Sequence, residues 1–94
     1  MPKTILIGNL SASANTNISL KGYISEPIFT IVSAVVLQGH AVNEGGTATY
    51  NIFNPVSATA TKVDNYTISL NVAIATTDVL QLTYVGVTEK VAPS

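Results

Sequence analysis

The run FTIVSAVVLQ, Phe29–Gln38, constrains this chain more than any other stretch. Successive side chains of a β-strand point to opposite faces, so a half-buried strand alternates apolar and polar residues. This one is apolar on both. Strict alternation puts Phe29, Ile31, Ser33, Val35 and Leu37 on one face, with Thr30, Val32, Ala34, Val36 and Gln38 on the other. The run is too short to span a bilayer as a helix, which takes about 20 apolar residues. A strand of this kind needs cover on both sides, and a chain of 94 residues has few spare segments to supply it.

The rest of the chain reads as strands separated by turn residues. KTILI (Lys3–Ile7) ends at Gly8-Asn9, and SASANTN is loop. ISLKGYI (Ile18–Ile24) alternates with Ile18, Leu20, Gly22 and Ile24 on one side, until Ser25–Pro27 breaks it. GHAVNEGG (Gly39–Gly46) reads as a turn-rich connection, TATYNIF (Thr47–Phe53) as a strand, and Asn54-Pro55 as a break. VSATATKV (Val56–Val63) and YTISLNVAI (Tyr66–Ile74) flank Asp64-Asn65, residues that tolerate the positive φ of a hairpin turn. ATTD turns the chain into VLQLTYVGV (Val79–Val87), and 89–94 reads as a C-terminal tail.

About seven short strands, turns at sandwich-like spacing and no sustained 3.6-residue period predict an all-β fold. The expected architecture is a two-sheet β-sandwich, immunoglobulin-like or related, occupying 1–94 as one domain. The expected core is Phe29, Ile31, Val35, Leu37, Tyr50, Ile68, Leu70, Val72, Leu80, Leu82 and Tyr84.

Charge narrows the function. Charged residues are only 10% of the chain, against about 25% in typical soluble domains. The places they would fill are taken by Thr, Ser, Asn and Ala, which cost less to desolvate than Lys or Glu. A surface that a neighbour will cover can be built this way. The formal net charge is −1, and Lys3, Lys21, Lys62 and Lys90 are scattered, which argues against a nucleic-acid partner. The chain has no cysteine, hence no disulfide framework and no thiolate chemistry. MPKTILIGNLSASA carries a lysine and an Ala-x-Ala end, but Gly8 and Asn9 interrupt its apolar patch. We therefore expect no signal peptide and no membrane association.

Candidate sites have plain alternatives. His40, the sole histidine, suits proton transfer near neutrality and has Glu44 close in sequence, yet it reads far better as a solvated loop residue. Serines lack any nucleophile motif. One histidine and no cysteine make a zinc site improbable, and Glu44, Asp64 and Asp78 lack calcium-loop spacing, so no cofactor or metal is expected. Tyr23, Tyr50, Tyr66 and Tyr84 could form a sugar-stacking platform, although Tyr50 and Tyr84 run in register with apolar neighbours. Three Asn-x-Ser/Thr triplets, at Asn9, Asn17 and Asn65, carry no meaning without a secretory leader.

The second face of the long strand, Thr30, Val32, Ala34 and Val36, is the expected oligomer interface, since obligate interfaces resemble a core cut in half. Left in water, this uncharged, β-prone stretch would be an aggregation hazard.

The ending TTDVLQLTYVG (Thr76–Gly86), an acidic turn feeding an alternating strand, resembles the last strand of bacterial and phage immunoglobulin-like domains. With the Thr/Ser/Asn-rich, cysteine-free chain around it, the whole resembles small bacteriophage virion proteins: head-decoration, head-fibre or tail components. The resemblance implies a non-enzymatic structural subunit, homo-oligomeric, docked on a capsid or tail subunit. It implies a virion location after synthesis in the host cytoplasm. A small glycan-binding or adhesion module is the alternative.

Overall fold

The computed structural model describes residues 2–44 and 48–87, and for 41–44 and 48–51 the strand pairing of the backbone. The Gly45-Gly46 part of the expected connection and the expected tail 89–94 lie outside the described residues. Seven strands run in the order β1 (Lys3–Gly8), β2 (Asn17–Ser19), β3 (Ile28–Glu44), β4 (Ala48–Ala58), β5 (Ala60–Asp64), β6 (Thr67–Leu70) and β7 (Val79–Gly86). They form a four-stranded sheet, β1-β7-β3-β4, and a three-stranded sheet, β2-β6-β5. Every strand pair is antiparallel. The fold is therefore all-β and two-sheeted, as the turn spacing predicts. An immunoglobulin constant domain also splits four and three but groups its strands differently. Here the last strand lies between the first and the third.

The core is built where the two sheets face each other. Ile7, Ala34, Val36, Leu80, Leu82 and Tyr84 of the larger sheet pack with Ile18, Ile68 and Leu70 of the smaller, and Leu20, Ile24, Ile28 and Ile74 close the ends. β7 shows the cleanest alternation, with Leu80, Leu82 and Tyr84 all essentially inaccessible to solvent. Ile68, Leu70, Leu80, Leu82 and Tyr84 are thus core residues as expected, and Ile31 and Val72 pack against the core from partly buried positions.

β3 departs from strict alternation, and the reason is two bulges. Its register against β7 slips between Ile28 and Thr30 and again between Ile31 and Ser33. Each slip adds one residue to β3 and turns the following side chains over. The inward set is consequently Ile28, Ile31, Ala34 and Val36, and the extra residues Phe29 and Val32 are exposed. Phe29 is therefore no core residue, while Val35 and Leu37 lie half-buried on the outer face. Side chains of 41–51 are outside the description, which includes Tyr50.

The strands around the centre are longer than expected. Gly39 does not stop β3, and Pro55 does not stop β4: the two pair from Ala34↔Ala58 to Glu44↔Ala48. Pro55 is tolerated because β4 is an edge strand, where a missing N–H breaks no ladder. In the other direction, ISLKGYI is not one strand. Leu20 accepts hydrogen bonds from the Tyr23 and Ile24 N–H groups, and Gly22 at φ 90° completes a turn that proline or a β-branched residue would not adopt. VSATATKV is likewise divided, with Thr59 carrying the chain from one sheet to the other. The hairpin at Asp64-Asn65 forms, but neither residue takes a positive φ; instead Asp64 Oδ1 accepts the Tyr66 N–H at 3.0 Å.

Candidate interaction surface

Beyond the Leu37↔Val79 pair β3 has no strand partner on the β7 side among the described residues, while its pairing with β4 continues to Glu44↔Ala48. Residues 38–44 and 48–54 are therefore a two-stranded ribbon that leaves the sandwich, about 23 Å long at roughly 3.3 Å per residue. The molecule measures 56 × 28 × 22 Å, and its radius of gyration of 15.1 Å exceeds the value of about 12 Å for a compact chain of this length. Two-stranded ribbons are marginal in water by themselves, so the root of the arm matters.

That root is made by Asp78. Its Oδ1 accepts the Gly39 N–H at 3.1 Å, on the side of β3 that β7 has just vacated, and its Oδ2 accepts the Ala75 N–H at 3.0 Å. The carboxylate thus adds one rung to the ladder beyond the end of β7. Gly39 is needed there for its close approach: a Cβ would overlap the Thr77 carbonyl oxygen and crowd the Phe53 ring. Phe53 stands opposite Gly39 and is 45% exposed, walling a crevice of about 320 Å³ with Gly8, Asn9 and Thr77.

The outer face of the four-stranded sheet continues from this crevice. Its rows run Gly8, Val79, Leu37, Pro55; then Leu6, Gln81, Val35, Ser57; then Thr4, Thr83, Ser33. No charged side chain occurs in these rows. Leu6 at 65% and Val32 at 55% exposure are the most solvent-exposed large hydrophobic residues described. Of the expected interface set, Thr30 and Val32 do face solvent. Ala34 and Val36 do not: they are 4% and 0% exposed in the core, on the face of Ile28, because the second bulge undoes the reversal made by the first, which puts only Thr30 outside. The interface assignment of those two residues is corrected accordingly.

Other expected sites fall as follows. His40 and Glu44 both lie on β3, four positions apart in extended chain, which separates their Cα atoms by roughly 13 Å. Among the described residues no three His, Asp or Glu side chains gather as a metal set. The tyrosines are dispersed: Tyr84 is core, Tyr23 is exposed, and Tyr66 lines an open cleft of about 690 Å³ with Ser19, Lys21, Lys62 and Asn65. Burial raises the Tyr84 phenol above its ordinary pKa; Lys3 opposes that shift and Glu26 adds to it. Glu26, nearly buried, is ion-paired with Lys3 at 2.5 Å. Among the described residues no buried side-chain nitrogen or oxygen lacks a hydrogen-bond partner.

At the cleft, the Asp64 carboxyl is held below its ordinary pKa of 3.8, chiefly by the Tyr66 N–H and then by the Thr67 hydroxyl. Hydrogen bonds to the charged form lower a carboxyl pKa, so the folded turn favours the ionised acid. Its contribution is present above the unfolded pKa and is lost as pH falls through the lower folded value. A carboxyl titration by NMR is expected to place the Asp64 midpoint below 3.8. The Tyr66 amide proton should follow it, and in Asp64→Asn that titration should disappear.

No protein family, no characterised protein and no solved structure matches this chain significantly.

Proposed function

We propose that this chain is a non-enzymatic structural subunit of a viral particle, self-associating and docking on a capsid or tail through low-charge sheet faces. The observation that supports this reading is the uncharged outer face of the four-stranded sheet, with Leu6, Val32 and Phe29 exposed on or beside it. The face mixes exposed apolar side chains with uncharged polar ones, which cost less to desolvate than charged residues, and it lacks the charges that keep a free surface solvated. Beyond Leu37 the β3–β4 pairing carries the backbone away from the body, within reach of a neighbour.

Light scattering after size exclusion, across a dilution series, tests self-association. A discrete oligomer that survives dilution is expected, and a monomer throughout would overturn it. Val32→Lys is expected to lower the mass while leaving the circular dichroism and melting temperature nearly unchanged. Val32 is an exposed bulge residue, so a lysine there costs the fold little. Unchanged assembly in that variant would remove the region around Val32 from the interface. Co-purification with assembled particles then tests the virion part of the reading.

A further inference from the structure

Open sheet edges invite pairing with another chain, and proteins blunt them with proline, lysine, bulges or short strands. Of the four edge strands here, three are blunted. β2 has three residues; β5 carries exposed Lys62 and a bulge between Lys62 and Asp64; β4 carries Pro55. Gly39 donates away from β4, toward Asp78, so two residues earlier the Leu37 N–H also points away from β4. Pro55, opposite Leu37, then directs its donor-less nitrogen to the open edge. β1 has no proline and no bulge, and its one lysine, Lys3, stands at the first residue of the strand and is ion-paired with Glu26. The strand is six residues long, and its register against β7 is unbroken from Lys3↔Tyr84 to Gly8↔Val79.

The same parity carries across the sheet. Val79, Gln81 and Thr83 direct their backbone groups toward β3, so their β1 partners Gly8, Leu6 and Thr4 direct theirs outward. The Thr4 and Thr83 hydroxyls meet at 2.8 Å, the close side-chain approach of a pair that does not exchange backbone bonds. β1 therefore presents an evenly spaced row of backbone donors and acceptors at Thr4, Leu6 and Gly8.

We propose that β1 joins two copies of this chain, pairing antiparallel about a two-fold axis at Leu6 and merging two four-stranded sheets into one. The inference rests on the self-association part of the proposed function and names its geometry. The strand is complementary to itself in this register. Leu6 meets Leu6 of the partner subunit, covering the most exposed large hydrophobic side chain described. Thr4 lies opposite the partner's Gly8, so a branched residue faces an absent side chain. These pairs exchange backbone bonds in both directions. Lys3 falls opposite the partner's Asn9, which holds the two Lys3 ammoniums about 20 Å apart, beyond the ~8 Å screening length at physiological salt. Like charges therefore do not oppose the pairing, and the uncharged outer faces become continuous across the axis.

The absence of cysteine makes the test specific. Residues opposed in an exchanging antiparallel pair have Cα atoms about 5.5 Å apart, within the 4.4–6.8 Å range that a disulfide spans. Leu6→Cys under mild oxidation is expected to give a covalent dimer in near-quantitative yield, at least ten-fold faster than Val63→Cys, an exposed control on β5. Leu6→Lys and Leu6→Glu should each lower the native mass, and mixing the two should restore it. Cross-linking no faster than the control, in a wild-type protein that holds its oligomeric mass, would overturn the β1 pairing alone. A wild-type monomer at every concentration would overturn both the pairing and self-association.

Discussion

Truncating Leu82 to alanine is expected to cost about 3–4 kcal/mol of unfolding free energy, the middle of the range for buried Leu→Ala changes. Leu82 is wholly buried on β7, between Ile5 of β1 and Ala34 of β3, in the layer that meets Ile68 and Leu70. The lost methyl groups leave a cavity among packed neighbours, and the surrounding structure relaxes into it only partly. A domain of this length has roughly 5–14 kcal/mol to lose, so the change is a large share of the whole. Urea denaturation checks it through the midpoint, with the slope unchanged. Val63→Ala, a truncation at a residue 47% exposed on β5, should move the midpoint little. Equal losses at the two positions would mean that Leu82 is not the core residue its burial makes it.

Asp78→Ala is expected to cost about 3–6 kcal/mol, since two backbone N–H groups lose a charged acceptor and hydrogen bonds to charged groups are each worth about 1.5–3 kcal/mol. The Gly39 and Ala75 N–H groups are left without it where the buried Asp78 side chain stood. The loss should be local as well as global. Hydrogen exchange is expected to accelerate at Gly39 and along the arm far more than in β6, because Asp78 supplies the rung at which the arm leaves the sheet. Asp78→Asn keeps one carbonyl acceptor and should retain part of the stability. If exchange in the arm were unchanged in Asp78→Ala, the arm would be held by something other than its root.

These two positions also show how far the sequence carries. Leu82 is legible as core in LQLTYVG, where period-2 alternation runs without interruption from Leu80 to Tyr84. The Asp64 hairpin is legible for a local reason, since an Asp side chain bonds the backbone two residues on. Asp78 reads only as a turn residue. Its use as an acceptor for Gly39 depends on two segments 39 positions apart, and no local pattern reports that.

The face of β3 was hidden in the same way. FTIVSAVVLQ by itself determined that a strand forms there and that both of its sides are apolar, because β-branched content and alternation are local properties. Which side enters the core was decided by the bulges at Phe29 and Val32, and these exist only in register with β7, far along the chain. They turn Ile31 inward between them, leave Phe29 and Val32 outside, and together return Ala34 and Val36 to the face of Ile28. Gly39 and Pro55 look like strand breakers to a local reading. Tertiary structure made them strand residues by giving Gly39 a carboxylate partner and a close neighbour in Thr77, and by placing Pro55 where its nitrogen faces an open edge. The sequence alone therefore determined the class, all-β and two-sheeted, through the period and turns written into it. The arm, the outer face and the open edge of β1 came from pairing between distant segments, whose energies no short window of residues contains.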